Sequence, residues 1–404
     1  MTISGTAPDR ARRPKGRRVI IETAAAELFA DRGYAATGVG DIADRVGVTS
    51  GAIYRHFAGK EDLLQSILQS CLDDFRAKAV PAPGSSPREA MQEVVASAVG
   101  LTLSRPDRVA TYLREWRWLT DAASARIRIG ERELTGQWET VMRAVVPDIS
   151  RWEAVQRQRA VNGSLMMLAR RSGAAPHQRL QALFTDAILA MVTAPAARIP
   201  AARPKPQPRT WRSPRPRRQE IRDAASLLFR RYGYHGVGMD QIGKAVGISG
   251  PTVYGTYDSK AEILVDVCDY AVGKTEAAVE QALEAADSAQ EALRLVTRAY
   301  AMVALDDTDL TAVAGRETEE LPDGDRTRLR HRRAGVHFVC VAVLGEVRPE
   351  LDEAEARVLF SAARTAVQAT VVKQRGGRAS TDGVADLMLR FLLGRQGSDA
   401  ISKG

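Results

Sequence analysis

The chain has few of the residues that build a disulfide framework, a zinc knot or a membrane anchor. It holds three cysteines in 404 residues, Cys71, Cys268 and Cys340, without a C-x-x-C spacing, so we expect buried, inert thiols. The longest nearly uninterrupted apolar run, 336–345, is about half of the roughly 20 residues that a membrane-spanning helix needs. The first 16 residues lack the apolar core of a signal peptide. These absences predict a soluble protein of the cytoplasm that does not bind a membrane.

The histidines give no sign of an active site. The chain contains no H-E-x-x-H motif, no nucleophile elbow and no phosphate loop. His331 and His337 lie six residues apart, a spacing that does not place two metal ligands on one helix face. We therefore expect that the protein is not an enzyme, that it needs no cofactor, and that it holds no metal.

What the chain does contain is a second copy of part of itself. Residues 17–64 align without a gap on residues 217–264. The repeated unit is about half of the chain, much longer than the roughly 20 to 50 residues of a solenoid repeat, so two whole modules are fused. Identical pairs include Ala24/Ala224, Leu28/Leu228, Phe29/Phe229, Gly33/Gly233, Tyr34/Tyr234, Gly38/Gly238, Ile42/Ile242, Gly47/Gly247, Tyr54/Tyr254, Lys60/Lys260 and Leu64/Leu264.

Positive charge is concentrated just before each repeat. The net charge is +9; residues 1–18 hold six basic residues against one acidic residue, and residues 194–218 hold eight basic residues and no acidic one. A basic arm can lie against a polyanion, although a basic tail alone is also compatible with a role in solubility. Its recurrence before both repeats favours DNA as the partner.

Proline marks the boundary between the two modules. Residues 194–216 hold seven prolines, a density that neither a helix nor a central strand tolerates, so we interpret this segment as a linker. The predicted organisation is a basic arm at 1–16, the first repeated domain at 17–75, a larger helical domain at 76–193, the linker at 194–216, the second repeated domain at 217–275, a second larger helical domain at 276–396, and a disordered tail at 397–404.

Each repeat has the layout of a helix-turn-helix. Apolar residues from Ile21 to Phe29 recur at helical spacing, and Gly33 stands where a left-handed residue would end the helix. A short second helix ends at Gly47, and a third begins at Thr49, a good N-cap. Lys60 opens a fourth helix.

The larger parts of both modules also predict helices and no strands. We expect helices near 88–104, 107–121, 125–146, 150–171 and 177–193, and again near 289–305, 309–319, 324–347, 352–373 and 382–393. These segments match one another weakly at an offset of 202, as Glu115 and Glu317 show. The offset implies a two-residue insertion in the second copy, and the fold class is all-α.

The repeated unit resembles the amino-terminal module of TetR-type transcriptional regulators. The resemblance is seen in Gly33-Tyr34, in 41–46, in Gly47-Val48-Thr49, in 54–57 and in Lys60-Glu61-Asp62. The doubled chain is similar to a single-chain subgroup of actinobacterial regulators. The resemblance implies two tandem TetR-like units, each with a three-helix DNA-binding domain and a helical domain that binds a ligand and dimerises. It also implies that the last helices of each half, 150–193 and 352–393, form a dimer bundle within one chain.

The resemblance and the chemistry of the major groove give a set of candidate DNA contacts. Short polar groups at the amino end of a recognition helix reach base edges, and flanking donors reach phosphates; the alternative is that the threonines only cap helices and that Tyr54 only packs. Thr37 is expected to cap the second helix. The candidates are Arg17, Arg18, Thr37, Thr49, Ser50, Gly51, Ala52, Tyr54, Arg55, His56 and Lys60, and in the second copy Arg217, Arg218, Ser249, Gly250, Thr252, Tyr254, Tyr257 and Lys260.

The two helix-turn-helix units, the first and the second reader, differ at positions where contact with DNA is expected. Thr37, Arg55 and His56 are replaced by Val237, Gly255 and Thr256. Two unlike readers in one chain predict an asymmetric operator, because palindromic operators mirror the symmetry of identical readers.

The resemblance further implies an effector pocket in each helical half. Glu115, Trp116, Trp118 and Glu317 are candidates for ligand binding, although pairing with an arginine is the alternative for the two glutamates. Aliphatic lining suggests a small hydrophobic effector such as an acyl thioester, a sterol or a drug. The leading prediction is a nucleoid-associated repressor that an effector releases from double-stranded operator DNA. The alternative is a helical protein-binding adaptor in which one or both helix-turn-helix units have decayed.

Overall fold

A computed structural model describes residues 13–171, 173–196, 216–371 and 380–401. The basic arm up to residue 12, most of the predicted linker and the last three residues lie outside the described residues. Within them the structure is all-α, as the sequence predicts. The helices of the first repeat are α1 (Arg13–Arg32), α2 (Val39–Val46), α3 (Ser50–Tyr54), α4 (Lys60–Lys78), α5 (Pro87–Ser104), α6 (Pro106–Glu115), α7 (Asp121–Val145), α8 (Arg151–Arg170) and α9 (His177–Val192).

The second repeat has the same order of helices. A short 3-10 helix follows α6 at Trp116–Trp118, and its counterpart is Thr318–Glu320. The helices are α10 (Arg217–Tyr232), α11 (Met239–Ala245), α12 (Gly250–Tyr254), α13 (Lys260–Glu284), α14 (Ala289–Asp306), α15 (Thr308–Arg316), α16 (Asp323–Val347), α17 (Glu353–Val371) and α18 (Thr381–Ile401). A non-helical residue, Gly394, interrupts α18 where the sequence predicts the last helix to end.

Glycines end the helices at the predicted places. Gly33 and Gly233 have φ of 84° and 74°, and Gly47 and Gly247 have φ of 71° and 72°. A side chain at such a backbone angle is strained, so these four positions favour glycine. The paired stops explain why the two repeats turn at the same points.

The predicted two-residue insertion has a structural origin. Helix α13 runs on beyond the length of α4, and the connection that follows it is shorter than the loop at 79–86. In both copies a serine caps the next helix: Ser86 Oγ accepts from the Glu89 N–H at 3.4 Å, and Ser288 Oγ accepts from the Glu291 N–H at 3.2 Å. The helical domains therefore restart at an offset of 202.

The chain forms two compact units, and the division between them does not fall at the predicted boundary, residue 194. The first unit contains residues up to 145 together with 165–181, and the second contains 146–164 together with the chain from 182 onward. Parts of α8 and α9 thus belong to the same unit as the whole second repeat. Two helices of the first half contribute to a core with helices of the second half.

Apolar contacts build that shared core in the second unit. The rings of Phe184 and Phe391 meet edge to face with centroids 6.1 Å apart, and both side chains are fully buried. At Gly163 the backbones approach so closely that a Cβ would lie 2.6 Å from the Thr365 carbonyl oxygen and 2.9 Å from Ala369 Cβ. A salt bridge of 2.7 Å joins Arg395 Nε to Asp186 Oδ1 at the edge.

A buried arginine fastens the end of α9. Arg157 is 1% exposed; its Nη1 donates to the carbonyls of Val192 (3.0 Å) and Ala194 (2.6 Å), and its Nη2 donates to that of Pro195 (2.8 Å). Nη2 also donates to Glu153 Oε1 at 2.6 Å. Because an unpaired buried charge costs several kcal/mol, these bonds hold the start of the interdomain segment against α8.

The glycine at the close approach provides a test of this packing. We expect Gly163→Ala to destabilise the protein by about 1–3 kcal/mol, because the added methyl group overlaps α17. Gly136→Ala, in a helix where a Cβ meets nothing within 4 Å, should stabilise it by about 0.5–1 kcal/mol. Urea unfolding followed by circular dichroism measures both changes. Shifts of the same sign for the two variants would contradict the packing described.

The thiols provide a second test. All three cysteines are buried and free, as predicted, and burial raises the pKa of Cys268 and of Cys340 to about 12. Because the thiolate is the reactive form, a thiol reagent at pH 8 should label none of the three in the folded protein and all three in urea. Rapid labelling of the folded chain would show that the cores are open.

Candidate nucleic-acid interface

One side of the first recognition helix, α3, packs in the core, and the other side, its exposed edge, carries mostly small or polar residues. Ile53 is buried, with Ile42 and Ala43 of α2 beside it in the core. Thr49 is the N-cap, with φ of −82° and ψ of 153°, which confirms the predicted start of the helix. Tyr54 is 55% exposed. The exposed residues of this edge are Thr49, Ser50, Gly51, Tyr54 and Arg55, while Ala52 and His56 are half-buried.

Thr37 does not take the expected position. The N-cap of α2 is Gly38, whose N–H donates to Asp41 Oδ2 at 2.6 Å. Thr37 is 1% exposed, and its hydroxyl donates to the Gly33 carbonyl at 2.9 Å. The hydroxyl therefore closes the turn after α1, and the prediction that it contacts phosphate is wrong.

Two candidates of the second reader also lie in the interior. Tyr257 is buried, with its hydroxyl 2.5 Å from Asp266 Oδ2 and 3.0 Å from the Arg218 carbonyl oxygen. Burial, followed by that hydrogen bond, raises the pKa of Tyr257. Gly250 is buried as well. Tyr257 cannot present its hydroxyl to DNA, so that prediction is wrong. Gly250 has no side chain to present, and its contact with DNA stays a prediction.

The paired basic residues hold the reader together in the same way in both copies. Lys60 Nζ donates to the carbonyls of Tyr34 and Thr37, each at 2.9 Å, and lies 4.2 Å from the centre of the Tyr34 ring. Lys260 repeats these contacts, 2.9 Å each, on Tyr234 and Val237. The ammonium groups thus tie the start of α4 and of α13 to the turn before the second helix, which makes these lysines positioning residues.

Arg18 and Arg218 fix the position of the end of the recognition helix in each copy. Arg18 Nη1 donates to the His56 carbonyl at 2.8 Å, and Arg218 Nη1 donates to that of Thr256 at 3.2 Å. Each guanidinium also covers an aromatic ring at 4.2 Å, that of Phe57 or Tyr257. The neighbouring Arg17 and Arg217 are exposed; Arg217 Nη1 pairs with Glu220 Oε2 at 2.8 Å.

A reciprocal exchange between two helices reshapes the second reader. The first copy has Gly40 and an exposed Ser50, whereas the second has Asp240 and Gly250 at the same positions. A Cβ on Gly250 would lie 1.7 Å from Asp240 Oδ1. The aspartate therefore occupies the space of a recognition-helix side chain and places a carboxylate beside the start of α12. The gapless alignment already contained the signal for this contact: glycine stands at position 40 in the first copy and at position 250 in the second.

The exposed surface of the second recognition helix, α12, is less basic than that of the first, α3. Ser249 caps α12, accepting from the Thr252 N–H at 3.4 Å, and Pro251 occupies the first turn as expected. Tyr254 is 53% exposed, much like Tyr54. The second edge thus keeps hydroxyl groups and the tyrosine but lacks an arginine at the place of Arg55.

The candidate effector residues lie where reader and regulatory helices meet. Glu115 is 1% exposed; its Oε1 lies 3.2 Å from Arg114 Nε and would be 3.9 Å from a Cβ on Gly33. Trp118 packs on Tyr34 with ring centroids 5.9 Å apart. Trp116 and Trp118 remain partly exposed, and Glu317 is half-buried.

The same junction has different chemistry in the second copy. Glu320 occupies the position of Trp118, and its Oε2 lies 2.7 Å from His235 Nε2. The first copy has one polar bond of its own at this junction: Glu61 Oε1 accepts the Thr120 N–H at 2.7 Å, and this bond lowers the pKa of Glu61. An aromatic contact in one copy is therefore replaced by a polar one in the other.

Comparison with known proteins adds the deciding observation. The sequence pattern described as bacterial regulatory proteins, tetR family, matches residues 21–67 and 221–267. The HTH-type transcriptional repressor KstR2 of Mycolicibacterium smegmatis is 31% identical over 145 residues, which are 35% of this chain and 71% of that protein. The chain belongs to the TetR family.

A second curated relative and a solved structure match other shares of the chain. KstR2 of Rhodococcus jostii is 38% identical over 106 residues, 26% of this chain and 52% of that protein, so the chain spans about half of that relative. The structure of the ketosteroid transcriptional regulator KstR2 of Mycobacterium tuberculosis is 24% identical, with a TM-score of 0.39, over 46% of this chain and 97% of that one.

Membership of the TetR family confirms three predictions. The two matched segments are the two helix-turn-helix units, the fold is all-α, and the chain is a DNA-binding transcriptional regulator, not an enzyme. Among the described residues, no helix is long and apolar enough to cross a membrane. In the same residues no group of three or more histidine, cysteine or acidic side chains is arranged to hold a metal ion.

The exchange at positions 240 and 250 can be tested by a double-mutant cycle. We expect Gly250→Ser to lower the free energy of unfolding by about 1–3 kcal/mol, because the new side chain overlaps Asp240. Asp240→Gly in the same chain recreates the pair of the first reader and should recover most of that loss. Thermal unfolding measures the coupling, and strictly additive effects would contradict the contact.

Proposed function

We propose that this TetR-family chain is a transcriptional repressor that acts as its own dimer. In this proposal the two readers bind one asymmetric operator, and a small hydrophobic effector releases them. The repressor sense is supported by the relative from Mycolicibacterium smegmatis, which is named a repressor. The protein would act in the cytoplasm, on the nucleoid.

The observation that supports the intramolecular dimer best is the shared core of the second unit. Residues 146–164 and 182–192 come from the first repeat, and α17 and α18 come from the second. The Phe184–Phe391 contact and the close approach at Gly163 are buried. Buried, closely packed contact between two repeats is typical of a permanent interface.

The asymmetric operator is supported by the differences between the two recognition helices. The first presents Ser50 and Arg55; the second has a buried Gly250 beside Asp240, and Gly255 in place of the arginine. An arginine can donate two hydrogen bonds to guanine, whereas an aspartate accepts from cytosine and repels phosphate. We infer that the two half-sites differ in sequence and that the first is bound more tightly.

Release by an effector requires a path from the regulatory helices to each reader. We propose that Glu115, Trp116 and Trp118 form that path in the first copy, because Trp118 packs directly on Tyr34 of the reader. Glu317 and Glu320 would form it in the second copy, through the contact of Glu320 with His235. The effector class that we propose is an acyl thioester, a sterol or a drug, and the two halves need not bind the same molecule.

The alternative is an adaptor protein with decayed readers. The packing of both readers argues against decay, because the lysine and arginine contacts that position the recognition helix are kept in both copies. A reader without function would have no need to keep them.

A gel shift on the DNA upstream of the gene tests the proposal. We expect Tyr54→Ala to weaken binding about tenfold, the loss of one hydrogen bond to a charged partner, and Tyr254→Ala to weaken it less. The affinity of the wild type should fall steeply with salt. Tyr232→Ala removes a tyrosine that is 53% exposed but lies outside the recognition helices, and it should bind as the wild type does. Absence of any shift would favour the adaptor.

A further inference from the structure

The second regulatory half presents an apolar helix face to solvent. Phe338 is 65% exposed and Val339 is 41% exposed. The neighbouring residues on the same face of α16, namely Ala334, Gly335 and Ala342, are exposed as well. The opposite face is fixed in the core by Leu329, Cys340 and Leu344, so the helix cannot turn to hide the phenylalanine. A contiguous exposed apolar face marks a surface for interaction.

The first regulatory half shows that the fold does not need this face. Helix α7 has the same length as α16 and the same exposed side, at an offset of 202. Its residues there are Arg132, Glu133, Gly136 and Thr140, which are exposed, and Gln137, which is half-buried. A polar surface therefore satisfies the fold at this place, and the apolar one requires another explanation.

Two glycines of α16 are likewise not required by packing within the chain. Gly335 and Gly345 stand in the interior of the helix, where each costs about 0.5–1 kcal/mol relative to alanine. A Cβ at either position would meet nothing within 4 Å, so no contact within the chain requires them. The first half has Glu133 and Arg143 instead. Small residues beside exposed apolar ones allow a second helix to approach closely.

Polar residues at the two ends of the face indicate that the second helix is another copy of α16. His331 lies seven residues before Phe338, Glu346 lies seven residues after Val339, and both are exposed. If two copies of α16 cross antiparallel on a two-fold axis between positions 338 and 339, His331 of each faces Glu346 of the other. The same register places Gly335 against Ala342. The first half has Ile129 and Ala144 at the positions of His331 and Glu346 and lacks this polar pair.

We propose that α16 is the interface through which two copies of this chain associate, as an isologous antiparallel helix pair. One helix pair buries less than the roughly 1,200 Å² of a standard stable interface, so the association is weak and depends on concentration. It is separate from the bundle of α8, α9, α17 and α18, and two associated chains would present four readers.

Light scattering of the full chain without DNA tests the proposal. The wild type should rise from 43.9 kDa toward twice that mass over the micromolar range. Phe338→Glu buries a charge at the two-fold axis and should weaken association on the order of a hundredfold. Gly136→Glu adds the same side chain at the matched position of α7 and should associate as the wild type does. Circular dichroism verifies that each variant is folded.

A charge exchange tests the antiparallel register. Glu346→Arg alone should weaken association, because it sets two basic groups against each other, and His331→Glu in the same chain should restore it. A wild type that stays at 43.9 kDa at every concentration would overturn the proposal. Association unaffected by Phe338→Glu, or a double variant that stays monomeric, would do so equally. None of these results depends on the gel shift that tests the proposed function.

Discussion

The burial of helices from both repeats in one core is the constraint on which the rest of this protein depends. At Gly163 the backbone of α8 touches that of α17 so closely that a single methyl group does not fit. Arg157, fully enclosed, then fastens the end of α9 to the same core through backbone carbonyls. Separation of α8 from α17 would expose closely packed apolar surface. Parts of α8 and α9 are therefore packed into the same compact unit as the second repeat.

The two readers keep the contacts that position the recognition helix but differ on the surface that the helix exposes. The lysine that ties α4 to the preceding turn and the arginine that holds the end of the recognition helix have the same contacts in both copies. The exchange of glycine between positions 40 and 50 and positions 240 and 250 changes the edge without moving the helix. The result is a pair of readers with one geometry and two surfaces. A symmetric dimer of separate chains could not vary its two readers independently.

Local signals predicted much of this structure. Glycine stops, serine and threonine caps and the apolar spacing of residues such as Ile21 and Phe29 depend on near neighbours in the chain, and the helices begin and end within a few residues of the expected places. What the sequence did not reveal depends on distant partners. Thr37 and Tyr257 look like exposed donors until the Gly33 carbonyl and the Asp266 carboxylate are placed beside them. The grouping of 146–164 with the second repeat has no local signature either, since it is decided by which helix faces meet; only the family resemblance implied that the last helices of the two halves pack together.

The central claim is that one chain is a dimer with two unlike readers. An unbiased selection of DNA sequences bound by the wild-type chain, at a concentration too low for association between chains, tests it most directly. We expect enriched sites with two different half-sites, the half bound by the first reader being the more strongly enriched. Perfect inverted repeats among the selected sequences would contradict the account, because they would show that two identical readers bind together.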